Sequence, residues 1–405
     1  MNITAKTNSI KINLKNFFSG LVPLFILAHF MHHIPGFLIT PLLPAIGDTF
    51  HLDYVQLGWL IGLYSGAYGL SNLPAGWLGN RIAPRVLITV SITGVAACGL
   101  IAGFSPNYFM MIFAMILMGS LGGGYHPLAS PLIADAFSIE KRGQVLGLHQ
   151  IGGTAASIVV PLLAAALATF LTWQGFYFLM TIPIIIYGIY LFSILKRRNL
   201  GEVPQKLQAE SFTILIRTRG YLRRIIAFLI MGVAVQVFVS SAINFISSLV
   251  DDKFLGPRWI AYAIVALPHI AGLAAGPIGG RISDRIGKIP VMLTVSLAAG
   301  PIICLLSLGT YWWLLPIVLM AMGICQYVAM PVSESYVISN ASMRNRSTIL
   351  GIYYFASRGG VLFVLSPIIG YLIKHFSFNV AFTTIGVALF AIALICSLLL
   401  WGTKD

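Results

Sequence analysis

The chain has 405 residues, 58% of them hydrophobic and 9% charged, with a mean hydropathy of +0.91 and a formal net charge of +14. A soluble domain is roughly 25% charged, so a water-soluble globule is excluded. The apolar segments run for about 20 residues without period-two alternation, which points to bilayer-spanning helices rather than a barrel; the basic residues sit in short loops, not on one surface that would suit nucleic acid.

Twelve spanning helices are predicted, near residues 17–45, 55–78, 85–104, 107–133, 143–170, 173–195, 221–249, 258–280, 289–308, 312–338, 347–373 and 378–401. The polar, basic stretch 1–16 precedes the first and has no small-residue cleavage signature, so no removed signal peptide is expected. The first segment holds His29, His32 and His33. His29 and His33 are four apart and share a helical face, while His32 turns partly aside. The fourth segment contributes His126 and ends at Asp135, with Arg142 seven residues on. The fifth holds His149 and Gln150, then Gly152, Gly153 and Pro161. Because an unperturbed imidazole titrates near about 6.5, histidines inside a membrane suit proton transfer. His126 and His149 are read either as cavity groups or as buried imidazoles bonded to a helix carbonyl. His29 and His33 lack a definite third ligand, so no metal site is expected. The four cysteines, Cys98, Cys304, Cys325 and Cys396, lie in apolar segments without metal-ligand spacing and are read as small buried hydrophobes.

The most polar interior stretch, Lys196 to Arg224, divides six helices from six. Three parts are expected: an N-terminal bundle at 1–195, a basic cytoplasmic linker at 196–220, and a C-terminal bundle at 221–405. Beyond the linker, Gln236 and Asn244 are eight apart on the seventh segment and roughly cofacial; they either line a cavity or bond another helix. His269 in the eighth segment is read as a bonded core imidazole. Glu334 lies toward the cytoplasmic end of the tenth segment. Arg358 lies about eleven residues into the eleventh, roughly 16 Å deep at 1.5 Å per residue. Ionisable groups at such depth face a cavity or a partner. The pair is read either as a structural ion pair or as a substrate or proton site. Gly359, Gly360 and Pro367 follow, and small residues of this kind permit close helix packing.

With a cytoplasmic N-terminus, 21 of the 25 Lys and Arg fall on cytoplasmic segments, so both termini are expected inside a cytoplasmic membrane. An internal repeat is present at an offset of 204 residues. Gly76 falls on Gly280, Arg81 on Arg285, Pro127 on Pro331, Arg142 on Arg346 and Gly147 on Gly351. Two homologous six-helix bundles, with a substrate path between them near the midplane, are the economical reading.

The string Gly76-Trp-Leu-Gly-Asn-Arg-Ile-Ala-Pro-Arg85 and its better copy Gly280-Arg-Ile-Ser-Asp-Arg-Ile-Gly-Lys288 resemble the signature loop of the major facilitator superfamily. The resemblance implies an all-α integral membrane fold of twelve helices in two pseudo-symmetric bundles. The loop residues Gly76, Asn80, Arg81, Gly280, Asp284, Arg285, Gly287 and Lys288, with Asp135 and Arg142, are candidates for a conformational latch. Asn80 and Ala83 depart from the pattern, and Asn80 carries no charge, so the N-terminal latch is expected to be the weaker one.

The stretch from Gly122-Gly-Gly-Tyr-His-Pro127 through Gln150-Ile-Gly-Gly153 to Pro161, with Ala28-His29 and Glu334, resembles the fosmidomycin-resistance type of efflux carrier, whose members are proton-driven exporters. A glutamate often follows the His-Pro pair in that type, whereas Leu128 stands here. The resemblance implies a proton-coupled exporter of a small molecule, working as a monomer without a cofactor. Its substrate and proton candidates are His29, His33, His126, His149, Gln150, Gln236, Asn244, Glu334 and Arg358. Uptake of a small anionic metabolite is the alternative, with a histidine-based metal carrier or membrane redox enzyme behind it. No nucleotide loop or zinc-protease motif supports an enzyme.

Overall fold

Hydrocarbon offers backbone amides no partner, so each apolar run must close its hydrogen bonds within itself. The computed structural model describes residues 20–79, 81–137, 139–202, 219–254, 256–308, 312–340 and 352–400, and among them it contains helices and no strand. We number the passes α1 to α12. In the first half, α1 is Leu21–Phe37 continued by Ile39–Phe50, α2 is Tyr54–Gly79, α3 is Pro84–Gly103, α4 is Tyr108–Gly122 with Tyr125–Asp135, α5 is Ile139–Leu167 and α6 is Trp173–Arg197. In the second, α7 is Arg219–Asn244 with Ile246–Lys253, and α8 is Arg258–Ala263 joined to Leu267–Ile286 by the 3-10 turn Ile264–Ala266. They are followed by α9 (Lys288–Cys304), α10 (Leu314–Asn340), α11 (Ile352–His375) and α12 (Phe378–Leu400). The expected segments 1–16, most of the linker, and the loop with Arg344 and Arg346 lie outside the described residues.

Among the described residues, eleven helices are long and apolar enough to cross a bilayer. The other pass, α2, is 26 residues long but carries Gln56, Ser65, Ser71, Asn72 and six glycines, which dilute its hydropathy. Two ends differ from the sequence reading. The first helix runs to Phe50 rather than 45, and the seventh to Lys253 rather than 249. Pro44 does not stop α1, because the helix is tied down beyond it, where Trp173 Nε1 donates to Thr49 Oγ1 at 2.8 Å. Side-chain caps begin α4 and α6, where Asn107 accepts from the Met110 amide and Thr172 from the Gly175 amide.

The packing follows the repeat. α2 lies on α4 and α3 on α6, and the equivalent pairs α8 on α10 and α9 on α12 recur in the second half. The halves meet along two further equivalent seams, α2 with α11 and α5 with α8. The α2 seam is a glycine stripe. A Cβ on Gly62 would lie 2.8 Å from the Phe363 carbonyl oxygen, and one on Gly69 would lie 2.7 Å from Gly359 Cα. Only hydrogen at these positions lets the two backbones touch.

Charged groups close one end of the molecule across the halves. Arg258 at the start of α8 pairs with Asp251 at 2.9 Å and with Asp48 of α1, and Lys374 of α11 pairs with Asp53 at 2.8 Å. Near the midplane, Thr40 Oγ1 donates to Asn244 Oδ1 at 3.0 Å, and Ser247 Oγ donates to the Thr40 carbonyl. Thr40 and Asn244 are 204 residues apart, the offset of the sequence repeat, so the contact lies across the pseudo-two-fold. Partial burial alone would raise the Asp53 carboxyl, but Lys374 and the Gln56 amide hold it below its ordinary range. The Asp53–Lys374 contribution is therefore complete above the ordinary carboxylate pKa and is lost as pH falls through the lowered value.

Two outcomes follow. Asp53→Asn should open this end. Surface pairs are worth about 0.2–1 kcal/mol, up to roughly fivefold in population, read as faster labelling of a cysteine at Thr40, in a background without native thiols, by an impermeant maleimide. Gly359→Val should overpack the α2–α11 seam at a cost of about 1–3 kcal/mol, lowering the melting temperature in detergent, whereas Gly280→Ala, where an added Cβ meets nothing within 4 Å, should leave it unchanged.

Candidate functional site

A cavity of about 300 Å³ lies between the halves, with walls from α1, α2, α5, α7, α8, α10 and α11. His29, His33 and Gln150 line it from the first half; Gln236, Asn244, His269 and Arg358 line it from the second. Six of these seven were candidates on sequence, all but His269. Their convergence has local causes. Gly153 on α5 faces the His29 ring, where a Cβ would lie 2.8 Å from Nε2, so the small residues of the Gln150–Gly153 string let α1 and α5 close over the imidazole. On α11 the helix widens into the π-turn Ala356–Gly360, and Gly359 locks this turn against Gly69. Arg358 is thereby aimed across the seam toward the first half.

The histidines form a connected row. His29 Nδ1 lies 2.9 Å from the His149 carbonyl, which can only accept, so Nδ1 carries hydrogen and the neutral ring presents its Nε2 lone pair. His33 Nε2 lies 3.0 Å from His29 Nε2 and must donate to it. His126 Nε2 is 3.3 Å from His33 Nε2 and 3.4 Å from Arg358 Nη1; since arginine only donates, His126 Nε2 is an acceptor. The row thus runs from α5 through α1 and α4 to α11, and its last link crosses the halves.

His149 is not in the cavity wall. It stands behind His29, ring centroids 4.4 Å apart, with Nε2 3.1 Å from the Tyr125 hydroxyl. Its backbone carbonyl orients His29, so of the two readings open for it the buried, bonded imidazole describes its place. His32 is buried against Tyr125 at 4.6 Å, and both its ring nitrogens lack a hydrogen-bond partner. His269 accepts or donates to Tyr327 at 3.0 Å, the bonded imidazole expected, but it also faces the cavity. Gln236 and Asn244 do both of the things open to them, lining the cavity and bonding other helices, the Gln326 carbonyl at 2.7 Å and Thr40.

Of the two readings open for Glu334 and Arg358, the structure does not show the direct ion pair. Glu334 sits off the cavity beside Tyr354 with Oε1 buried and unpartnered, and it feels Arg358 only through space. The guanidinium is turned instead to His126 and lies 5.2 Å from the Tyr354 ring centroid. Adjacent helices in sequence suggested a neighbouring pair, but the π-turn rotates Arg358 away. The signal-poor residues Tyr68, Tyr125, Tyr327 and Tyr354 were missed, since sixteen tyrosines offer no pattern that singles them out.

The latch candidates are less complete. Gly76 lies within α2, Asn80 is outside the described residues, and of Asp135 and Arg142 only the helical backbone is described. Arg81 is exposed with its guanidinium 3.6 Å from the Trp77 ring centroid. At the second loop, Gly287 has φ +97° and ψ 153°, a conformation an L side chain resists, and so permits the tight turn from α8 to α9 before Lys288. Asp284 and Arg285 are exposed and, among the described residues, form no ion pair, while Gly280 faces open space. Arg85, outside the candidate set, holds Glu202 at 3.2 Å.

One ring nitrogen from each of His29, His33 and His126 lies within 4.8 Å of the others. His126 stands beside His29 and His33, where sequence reasoning had no third imidazole to place.

Comparisons with known proteins agree with this architecture. The family model described as Major Facilitator Superfamily matches residues 25–287 and 259–405. The multidrug resistance protein MdtG of Proteus mirabilis (strain HI4320) is 25% identical over 322 residues, 77% of either chain. A probable 4-methylmuconolactone transporter of Cupriavidus pinatubonensis is 23% identical over 265 residues, 64% of this chain and 61% of that one. Among solved structures, an inward-facing bacterial homologue of the human lysosomal transporter Spinster superimposes with TM-score 0.71 at 15% identity, covering 95% of this chain and 96% of that one. A POT family transporter in complex with 5-aminolevulinic acid gives 0.80 at 13% identity over 95% and 97%. The fold, the repeat and these matches together show that the chain belongs to the Major Facilitator Superfamily and is a multi-pass membrane transporter, not an enzyme.

Proposed function

We propose that the protein exports a small organic molecule from the cytoplasm in exchange for protons, by alternating access. The carrying observation is the Arg358–His126 contact, which ties the two halves at the wall of their shared cavity and ends a row of imidazoles. A proton on His126 Nε2 would occupy the lone pair that Arg358 now uses, so protonation and this inter-half bond exclude each other. Such exclusion biases a two-state equilibrium. The names of the multidrug relatives support export. The basic residues support a cytoplasmic placement of both termini, which puts the ion-paired end outside and makes this an inward-facing conformer. Glu334, buried beside Tyr354, is the second proton candidate.

A second reading, uptake or export of an anion, has one observation in its favour. Among the described residues, the ionisable side chains lining the cavity are histidines, tyrosines and Arg358, and none is acidic. A carboxylate or phosphate would meet a cation there without an opposing charge.

In proteoliposomes with an imposed proton gradient, solute flux should follow the gradient, and indifference to it would remove proton coupling. Arg358→Gln should lower coupled flux about ten- to a hundredfold, the worth of a hydrogen bond to a charged group. Arg358→Lys should recover little, because a point charge on a flexible stem does not reproduce the fork. Glu334→Gln should retain solute binding and lose gradient-driven flux; full activity in that variant would exclude Glu334 as a carrier of the coupled proton.

A further inference from the structure

We infer that His29, His33 and His126 form a site for a divalent transition-metal ion of the zinc type, and that the ion acts as an effector by displacing Arg358. The geometry is that of a partly assembled tetrahedron. Zinc-to-imidazole bonds of about 2.0–2.1 Å set ligand nitrogens roughly 3.3 Å apart at a tetrahedral site. His33 Nε2 lies 3.0 Å from His29 Nε2 and 3.3 Å from His126 Nε2, and the three residues each offer a ring nitrogen within 4.8 Å of the others. Two of the ligands are four residues apart on α1, the spacing by which one helical face presents two imidazoles to one ion.

The surroundings suit ligation. A zinc-bound imidazole usually donates its other ring N–H to a carbonyl or carboxylate, which fixes the tautomer and aims the lone pair. His29 already does so, with Nδ1 2.9 Å from the His149 carbonyl. His126 Nε2 already presents a lone pair, now taken by Arg358 at 3.4 Å. Only His33 must shift its hydrogen to Nδ1 for all three to bind. His29 and His33 border the cavity, which supplies an entry path and a fourth, solvent-filled position.

The ligands all belong to the first half, whereas Arg358 belongs to the second. A cation at the triad therefore takes the lone pair through which the halves are joined and repels the guanidinium that held it. Metal binding and the inter-half bond are alternatives, and each weakens the other by the same factor. The inference does not depend on the direction of transport or on proton coupling.

The test uses full-length protein without a polyhistidine tag, stripped with chelator and titrated with Co²⁺. The wild type should show the visible d–d absorption of four-coordinate Co²⁺, saturating at one ion per chain and erased by Zn²⁺. His33→Gln and His126→Gln should each abolish it, while His269→Gln, a cavity histidine outside the triad, should retain it. Arg358→Gln should bind Co²⁺ several-fold more tightly, a gain that a misfolded variant would not produce. Absence of the band in the wild type, or its persistence in both triad variants, would overturn the site; unchanged affinity in Arg358→Gln would overturn the displacement.

Discussion

Everything polar in this protein is arranged by one constraint: hydrocarbon returns nothing for a lost hydrogen bond with water. Isolated hydroxyls meet it cheaply by bonding helix carbonyls, as Thr181 does to Ala96 at 3.1 Å and Ser91 to Leu121 at 2.8 Å. Imidazoles, carboxamides and a guanidinium are too large and too demanding for that solution. Many of them, His29, His33, Gln236, Asn244 and Arg358 among them, gather at the seam between the halves, where other polar groups can answer them. The cavity is thus the region where the constraint is met collectively, and its chemistry follows from which groups ended up adjacent.

Adjacency is set by glycines rather than by the polar groups themselves. Gly153 lets His29 sit against α5, and the touching pair Gly69 and Gly359 fixes where α11 crosses α2. The π-turn at Ala356–Gly360 then decides which half Arg358 serves. The guanidinium does not bond Glu334 within its own bundle. Instead it reaches α4, and an intramolecular detail of one helix becomes a bond between two bodies that move relative to each other in the proposed cycle.

The fold was legible because its signals are cumulative. Twelve apolar runs, the offset of 204 and the loop at Gly280–Lys288 each state the same architecture, and the Thr40–Asn244 contact at that offset is its physical trace. The site was legible in part. A histidine in an apolar run announces itself by its desolvation cost, so His29, His33 and His126 were found one at a time. Their meeting was not, since α1 and α4 are joined by no sequence pattern that encodes crossing geometry. Spacing along the chain left Glu334 and Arg358 open between an ion pair and a substrate or proton site, because a π-turn shifts side-chain azimuth without leaving a mark that periodicity detects. The helix ends at Phe50 and Lys253 were misjudged because Pro44 and polar residues read as breaks until tertiary bonds hold them.

His126 Nε2 has a single lone pair, and three kinds of claimant meet there: the N–H donors of Arg358 and His33, a proton and the metal ion proposed above. Each excludes the other two by valence, not by distance, so no relay of rearranging side chains is needed to couple them. Linkage then works in both directions. Whatever favours separation of α11 from α4 frees the lone pair for a proton or an ion, and either of these, once bound, resists the return of the arginine. A neutral solute in the cavity leaves that contest unchanged, whereas an anion draws Arg358 toward itself and away from His126. In the proposed cycle the same contact that ties the halves would therefore distinguish cargo by charge, with anions coupled to it in a way that neutral molecules are not.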